Sequence, residues 1–461
     1  MKTPAAAITL LLALGASGGY AAADQSKIPT PVIAGAFDNG SGGDAALPYD
    51  WWRSFNDPVL DDLVQRVLAE NIDLKMAESR VTAARALRRR AAADLLPELD
   101  FAASAGRQRI SGYTLGFPNS AVASQYAGAF EVSWEIDVFG YVRNQVHAAE
   151  SEVAAIEQDQ QAARLAVLLR LSRAYLTARG LQRSVEIANA NKDAQEQTAL
   201  YTQRLVSAGA LPIGDQERAE AQAQSTAAAV PALELRYEET VEELAVLLDV
   251  TPKVAHDLMN ASHTQGLNLP SLPAAGVPAD LLRRRPDVRA AENRVLVAFS
   301  RLGAAESDLK PRFVIGGDVG SLVSTFNSPS FARSINWLAQ ITGTAHLIDG
   351  GRRRSVVSLR HSEAEEARLA YQATVLDAVR EVENALASVS KDGERFKSLE
   401  QSARSAAAAD EQIRYSWKAG EVSILDVLEA DLARFVAEAA LADSDTTVRL
   451  DRAVLFAAMG G

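Results

Sequence analysis

Cysteine is absent from all 461 residues. That excludes disulfides, thiolate metal sites and a cysteine nucleophile together, and it removes the acceptor for a lipoprotein anchor. Aromatic residues are scarce at 6%, charged residues make up 23%, and alanine dominates many windows. Such a chain favours long helices over a dense globular core. Positive charge is short as well: 47 Lys and Arg stand against 59 Asp and Glu, for a net charge of −12. Nucleic acid is therefore not an expected partner, because phosphate binding needs clustered cations. The five histidines, His147, His256, His263, His346 and His361, show no metal-ligand spacing. No Ser-His-Asp order, P-loop or pair of catalytic carboxylates emerges either. The expectation is a protein that is not an enzyme, with no catalytic residues, cofactor or metal. Long hydrophobic runs are also missing, so no transmembrane helix is expected in the exported chain.

The N-terminus reads as an address. Met1-Lys2 is a short positive start, 8–14 is mostly apolar, and Ala21-Ala22-Ala23 is a small-residue cleavage site, so 1–23 is expected to be a signal peptide. Residues 24–57 form an irregular arm, rich in Pro, Gly, Ser and Asp up to about 50 and then aromatic at Trp51, Trp52 and Phe55. Asp57-Pro58 is an N-cap followed by proline at the first helical position.

The rest of the chain repeats itself. With Asp287 set over Asp73, a shift of 214, identities fall at Ala77/Ala291, Glu78/Glu292, Arg80/Arg294, Val81/Val295, Ala84/Ala298, Asp94/Asp308 and Pro97/Pro311 among others, 10 in 25 positions. Further on, Ala208-Gly209 and Asp215 match Ala419-Gly420 and Asp426 at a shift of 211. Two similar halves are fused in tandem: a first repeat over 58–250, a connector over 251–286, and a second repeat over 287–461.

Within each half the period changes from 3.6 to 2 after the proline. Tyr126, Gly128, Phe130, Val132, Trp134 and Ile136 alternate with Glu131, Ser133, Glu135 and Asp137, and Leu99, Phe101 and Ala103 alternate with Asp100 and Ser104. One face is apolar and the other acidic. The second half does the same around Phe313, Ile315 and Val319 and around Ile335, Trp337, Ala339 and Ile341. Two hairpins follow, at about 98–138 and 312–347, with strands of roughly ten residues, the length a tilted membrane strand needs. Ser- and Asn-rich loops are expected over 110–125, with Tyr113 and Phe117, and over 322–334.

Beyond the hairpins lie very long helical stretches. Residues 141–208 and 356–419 contain no proline, and the first as one helix spans about 100 Å at 1.5 Å per residue. Each ends in a Gly-containing turn, at Gly209 and Gly420, and is followed by a returning helix, over 215–248 and 424–455; Pro231 is expected to kink the first return. The fold class is mainly α, in two tandem repeats with long coiled-coil helices and two β-hairpins. Four strands cannot close a barrel, because about eight is the smallest that outer membranes use and open edges are not tolerated in lipid. Either several chains share one barrel, or the strands lie outside a membrane.

The chain is similar to the TolC-like outer-membrane factors, most closely their multidrug-efflux branch. The resemblance rests on Trp51-Trp52-Arg53-Ser54-Phe55-Asn56-Asp57-Pro58, Asn71-Ile72-Asp73-Leu74, Asp137-Val138-Phe139-Gly140, the segment around Arg283-Arg284-Arg285-Pro286-Asp287, Ile348-Asp349-Gly350-Gly351-Arg352, and 420–426. It implies a homotrimer in which each chain gives four strands to a 12-stranded outer-membrane barrel, with the long helices forming an α-barrel in the periplasm of a Gram-negative bacterium. It implies a passive exit duct for small molecules such as drugs, docked by a periplasmic adaptor and an inner-membrane pump. The other readings are the outer-membrane component of a type I protein secretion system and a periplasmic coiled-coil scaffold without a pore. Relatives in this branch often carry a lipidated cysteine, so here anchoring is expected to rest on the barrel alone, with outer-membrane lipid as its surroundings. Ala345-His346-Leu347-Ile348 replaces the family's Pro-Ile-Phe run, and Pro212 stands where the second half has Ser423.

The residues expected at the helical turns, where the resemblance implies a gate and adaptor docking, are Arg204, Gly209 and Asp215 in the first half and Tyr415, Gly420, Ser423 and Asp426 in the second. Ordinary helix capping is the other account of them. Asp100, Glu131, Glu135 and Asp137 fall on the polar strand face, either as a lumen-facing acidic set that biases a pore towards cations or as a solvated face without selectivity. Arg88 to Arg90 and Arg352 to Arg354 flank the hairpins, as partners of lipid head groups or as solvated charge. Trp134 and Trp337 belong to an interfacial belt or to a packed core.

Overall fold

The computed structural model describes residues 50–111, 120–260, 284–326 and 332–461. The expected signal peptide, almost all of the arm, the tip of the first loop with Tyr113 and Phe117, and most of the connector lie outside the described residues. In order, the elements are a 3-10 turn (Trp51–Phe55), α1 (Pro58–Glu70), α2 (Ile72–Ala93), β1 (Glu98–Ile110), β2 (Ala121–Ile136), α3 (Tyr141–Ser207), α4 (Ile213–Ala227), α5 (Ala229–Leu248), α6 (Pro252–Asn260), α7 (Pro286–Ser307), β3 (Arg312–Phe326), β4 (Ala332–Thr344), α8 (Arg352–Lys418) and α9 (Ile424–Ala458). The series α2-β1-β2-α3 is repeated as α7-β3-β4-α8. Among the described residues no helix is long and apolar enough to cross a membrane.

The chain divides into two compact units. The first holds 87–152 and 293–368, and its centre is one antiparallel sheet in the order β1-β2-β3-β4. The sheet joins the two repeats, because β2 of one hairpin pairs with β3 of the other, with Phe130 opposite Val319 and Glu131 opposite Asp318. Register carries the alternation across all four strands. Phe101, Phe130, Val319 and Trp337 sit side by side on one face, and Phe101 and Phe130 pack with ring centroids 5.0 Å apart. The strands are 13, 16, 15 and 13 residues long, longer than the ten expected. The extra length comes from both loops, where 121–125, 322–326 and 332–334 pair as strand. β4 ends at Thr344, ahead of the Ala345-His346-Leu347-Ile348 run.

The second unit, 50–86, 153–260, 284–292 and 369–461 among the described residues, is helical. Its core gathers Trp51, Phe55, Leu60, Leu63, Leu171, Tyr175, Leu244 and Phe456, with Trp51 stacked on Phe456 at 5.8 Å. The run 59–96 contains no glycine or proline, yet it splits at Asn71. That residue leaves the helical region at ψ 129°, donates its side-chain amide to Leu247 O at 2.8 Å and accepts from Leu74 N at 3.2 Å, so one asparagine ends α1 and starts α2. The expected kink before Pro231 is a break at Ala228, between α4 and α5; the proline ring has no N–H to bond Ala227 O.

Asp57 ties this core together. As N-cap it accepts from Val59 N at 2.9 Å, and its other oxygen accepts the buried Tyr175 hydroxyl at 2.5 Å. Burial first, and then the neighbouring carboxylate, push the Tyr175 phenol well above its usual range. Arg179 donates to the same hydroxyl at 3.1 Å and to Met259 O at 3.1 Å. Asp57→Ala, which removes a cap and a charged buried hydrogen bond, is expected to cost about 2–4 kcal/mol. Thermal unfolding followed by circular dichroism measures it, and Tyr175→Phe should lose only the second part.

Candidate functional site

Both helical turns lie in the second unit, and both have the same backbone design. At the end of α3, Gly209 takes φ +71°, its N–H reaches Val206 O at 2.9 Å, and Ala210 N–H reaches Leu205 O at 2.8 Å. At the end of α8, Gly420 takes φ +79°, its N–H reaches Trp417 O at 2.9 Å, and Glu421 N–H reaches Ser416 O at 2.9 Å. Each is a Schellman closure, which needs a residue free to adopt positive φ.

The starts of the returning helices differ. Ser423 caps α9 in a reciprocal box: its backbone N–H and hydroxyl donate to the Asp426 carboxylate at 2.7 and 2.6 Å, and its hydroxyl oxygen accepts from Asp426 N at 3.4 Å. The Ser423 hydroxyl, then its backbone N–H, hold the Asp426 carboxyl below the usual carboxylate range. Pro212 offers α4 no side-chain cap; Asp215 N–H reaches only Pro212 O at 3.1 Å, and the Asp215 carboxylate sits 3.8 Å from Arg218. The structure therefore brings Gly420, Ser423 and Asp426 together in one turn. Arg204 and Tyr415 point outward instead, Tyr415 with 72% of its surface exposed. A contact between the two hairpins comes from residues that the motif comparison passed over: Tyr201 of α3 meets Trp417 of α8 edge to face at 5.1 Å.

A buried charge cluster lies two to three turns up from the second turn. Asp431 of α9 is wholly buried and Asp410 of α8 nearly so. Arg414 binds both, reaching Asp410 at 2.9 Å and also pairing with Asp431, and Arg434 adds a second cation 3.1 Å from Asp410. Burial, reinforced by the hydrogen bond to Asp410, raises the Asp431 carboxyl to about 6. This cluster clamps α8 to α9. Its signals in sequence are opposite charges on one helix face, Asp410 and Arg414 at i, i+4 and Asp431 and Arg434 at i, i+3.

In the first unit the acids line up by register. Asp100 lies opposite Glu131, and Glu131 opposite Asp318, a row of three carboxylates across β1, β2 and β3. Like charges opposite one another destabilise a sheet, and the row belongs on a wet face. Asp318 was not in the expected set; it comes from the other repeat, and only the β2–β3 register reveals it. Glu135 lies on the same face, 3.8 Å from Arg312. Asp137 departs from it. One residue past β2, its carboxylate is only 8% exposed and bound to Arg143, whose backbone N–H donates to it at 2.8 Å, so it caps α3. Trp134 donates to Leu95 O at 2.9 Å and is half-buried, whereas Trp337 is exposed.

Comparison with known proteins places this geometry. The outer membrane efflux protein family matches residues 63–249 and 277–461. The chain is similar to nodulation protein T of Rhizobium leguminosarum bv. viciae, at 30% identity over 472 residues, covering 100% of this chain and 93% of that one. It is similar to the toluene efflux pump outer membrane protein TtgF of Pseudomonas putida, at 27% identity, covering 100% of this chain and 97% of that one. Among solved structures it is similar to the outer-membrane channel OprN, with a TM-score of 0.83 at 29% identity, covering 94% of this chain and 98% of that one. With two matched repeats, one apolar sheet face and paired long helices, this chain belongs to the outer membrane efflux protein family.

Proposed function

We infer that this chain is the outer-membrane exit duct of a tripartite efflux system, and that it works by passage rather than catalysis. Three copies contribute four strands each to one 12-stranded barrel. The carrying observation is the sheet itself: it is apolar on one face and acidic on the other, and β1 and β4 present open edges. Neither edge is tolerable in lipid, and one chain holds half the strands of the smallest outer-membrane barrel. The relatives named for efflux support small molecules as cargo. Native mass measurement of the detergent-extracted particle tests the assembly. Three chains per particle are expected, and a monomer soluble without detergent would contradict it.

The two turns serve as gate and docking surface for the periplasmic adaptor, through which the inner-membrane pump connects. Exposed apolar groups crowd them: Leu200 and Tyr201 before the first, Ile213 after it, and Tyr415 before the second. Such groups at a watery end mark a protein contact. Asp426→Ala removes the carboxylate half of the Ser423 box and leaves the Ser423 cap on the backbone N–H at 426, a loss of at most about 1 kcal/mol, and should leave the assembly intact. Single-channel steps larger than those of the native protein are its expected signature, and unchanged steps would move the gate elsewhere.

A further inference from the structure

The foot of the sheet, where β1 and β3 begin and β2 and β4 end, carries charge that the duct does not explain. Leu347 and Ile348 leave the end of β4 with 91% and 94% of their surface exposed, above every other large hydrophobic residue described. The Asp349 carboxylate then caps α8 by accepting from Gly351 N at 3.0 Å and Arg353 N at 3.2 Å. Arg353 turns inward and donates to Asp308 O at 2.6 Å. Arg352 and Arg354 on either side of it are exposed. At the opposite edge of the sheet, α2 closes with a second cluster. Arg88 is held by Glu150 at 2.6 Å, while Arg89 and Arg90 are exposed and have no ion pair among the described residues.

The two clusters stand at matching distances from their strands. Residues 88–90 precede the first residue of β1, Glu98, by 10 to 8 positions, and 352–354 follow the last residue of β4, Thr344, by 8 to 10. Within one chain the sheet's whole width separates them, since β1 and β4 are its two edges. Closing the barrel from several copies sets β4 of one copy beside β1 of the next. Arg352 and Arg354 then come to the level of Arg89 and Arg90 of the neighbouring copy, with exposed Asp94 and Glu98 as further acids at hand. With Asp349 paired to Arg353, four guanidinium groups against Asp94 and Glu98 leave each seam positive. Leu347 and Ile348 lie between the end of β4 and this charge.

We propose that each seam of the barrel binds an anionic phospholipid of the periplasmic leaflet, its phosphate held by Arg89, Arg90, Arg352 and Arg354 and its acyl chains lying against Leu347 and Ile348. Guanidinium forks match phosphate oxygens in pairs, and basic clusters beside a bilayer draw anionic lipid. The lipid relieves the repulsion that closure creates, so it also stabilises the assembly. This rests on the several-chain barrel.

The test reconstitutes the full protein in nanodiscs of mixed phosphatidylglycerol and phosphatidylcholine and counts retained lipids on the released particle by native mass spectrometry. Three chains carrying about three phosphatidylglycerols are expected, with retention reduced roughly tenfold or more in the fourfold variant Arg89→Gln, Arg90→Gln, Arg352→Gln, Arg354→Gln. Equal retention of the two lipids by the native protein, or equal phosphatidylglycerol on the native and variant trimers, overturns the lipid site and leaves the barrel standing. Should the variant dissociate, the native protein still decides: its preference for phosphatidylglycerol should vanish at 1 M salt, where exposed charges are screened. In the double variant Asp94→Asn, Glu98→Gln, lipid retention should hold or rise. Loss of subunits there without any lipid on the native particle means that ion pairs close the seam, against the proposal. A particle that is not a multimer at all has no seam, and the mass alone identifies that as failure of the barrel.

Discussion

Arg414→Ala is expected to loosen the helical hairpin α8–α9 by about 3 kcal/mol and to enlarge the conductance of the channel. Arg414 bridges two buried carboxylates, Asp410 and Asp431. Removing one partner of a buried pair leaves a charge that neither water nor protein compensates, and this costs about 3–5 kcal/mol. The lower end applies because 37% of the Arg414 side chain is exposed. The remaining cation, Arg434, touches Asp410 and not Asp431, so it does not substitute. Thermal unfolding at neutral pH measures the loss. Asp431→Asn separates charge from packing: it keeps the volume, removes the buried anion and should cost less than Arg414→Ala.

The same cluster sets a pH dependence. The Asp431 carboxyl titrates at about 6 in the packed hairpin and, by the ordinary value, at 3.8 when exposed. Between these values the packed form holds a proton that the open form has released, so stability falls as pH rises from about 4 through about 6 and then levels. Asp451 adds to the same slope, its carboxyl raised to about 6 by burial and by Asp392. Carboxyls held low, such as Asp426 and Asp287, act oppositely and lose their contribution only as pH falls below the usual carboxylate range. The unfolding midpoint should therefore be higher at pH 5 than at pH 7.5, and Asp431→Asn should flatten the difference. A midpoint that rises with pH over this window contradicts the assignment.

The second large effect concerns ions. Asp100, Glu131 and Asp318 occupy one register row, so a closed three-chain barrel carries nine carboxylates at one level if that face lines the lumen. A ring of fixed negative charge concentrates cations and excludes anions. Glu131 is the middle member, flanked on both sides, and Glu131→Lys changes the level by six charges in a trimer. Reversal potentials in a salt gradient should show a cation preference in the native protein, reduced several-fold or inverted in Glu131→Lys. An unchanged reversal potential places the row away from the conducting path. Asp137→Asn should do little to selectivity, because its carboxylate serves Arg143 and α3.

Much of the fold was legible in the sequence for physical reasons. Asp57-Pro58 announced α1, because a short acceptor before a residue with fixed φ starts a helix at once. Alternation announced the four strands, because a pleated sheet between oil and water permits no other pattern. The split at Asn71 was harder, since no glycine or proline marks it, and it depends on Leu247 O, 176 residues away. The loops are shorter than Ser and Asn at 322–334 suggest, because backbone pairing with the opposite strand outweighs that preference. The acidic face was legible from period alone, but the row was not: Asp318 joins Glu131 only once the β2–β3 register is known. The clamp at Asp410, Arg414, Asp431 and Arg434 stayed hidden for the same reason, because partners on antiparallel helices meet at a level fixed by where the turn at Gly420 closes.

Single-channel recording of the detergent-purified native protein in a planar bilayer tests the central claim most directly. Discrete, uniform conductance steps at low protein concentration are the predicted result, since a closed barrel of several copies inserts as one conducting unit. Protein that remains soluble without detergent and leaves the bilayer silent would contradict the duct and leave a helical scaffold whose strands never meet lipid.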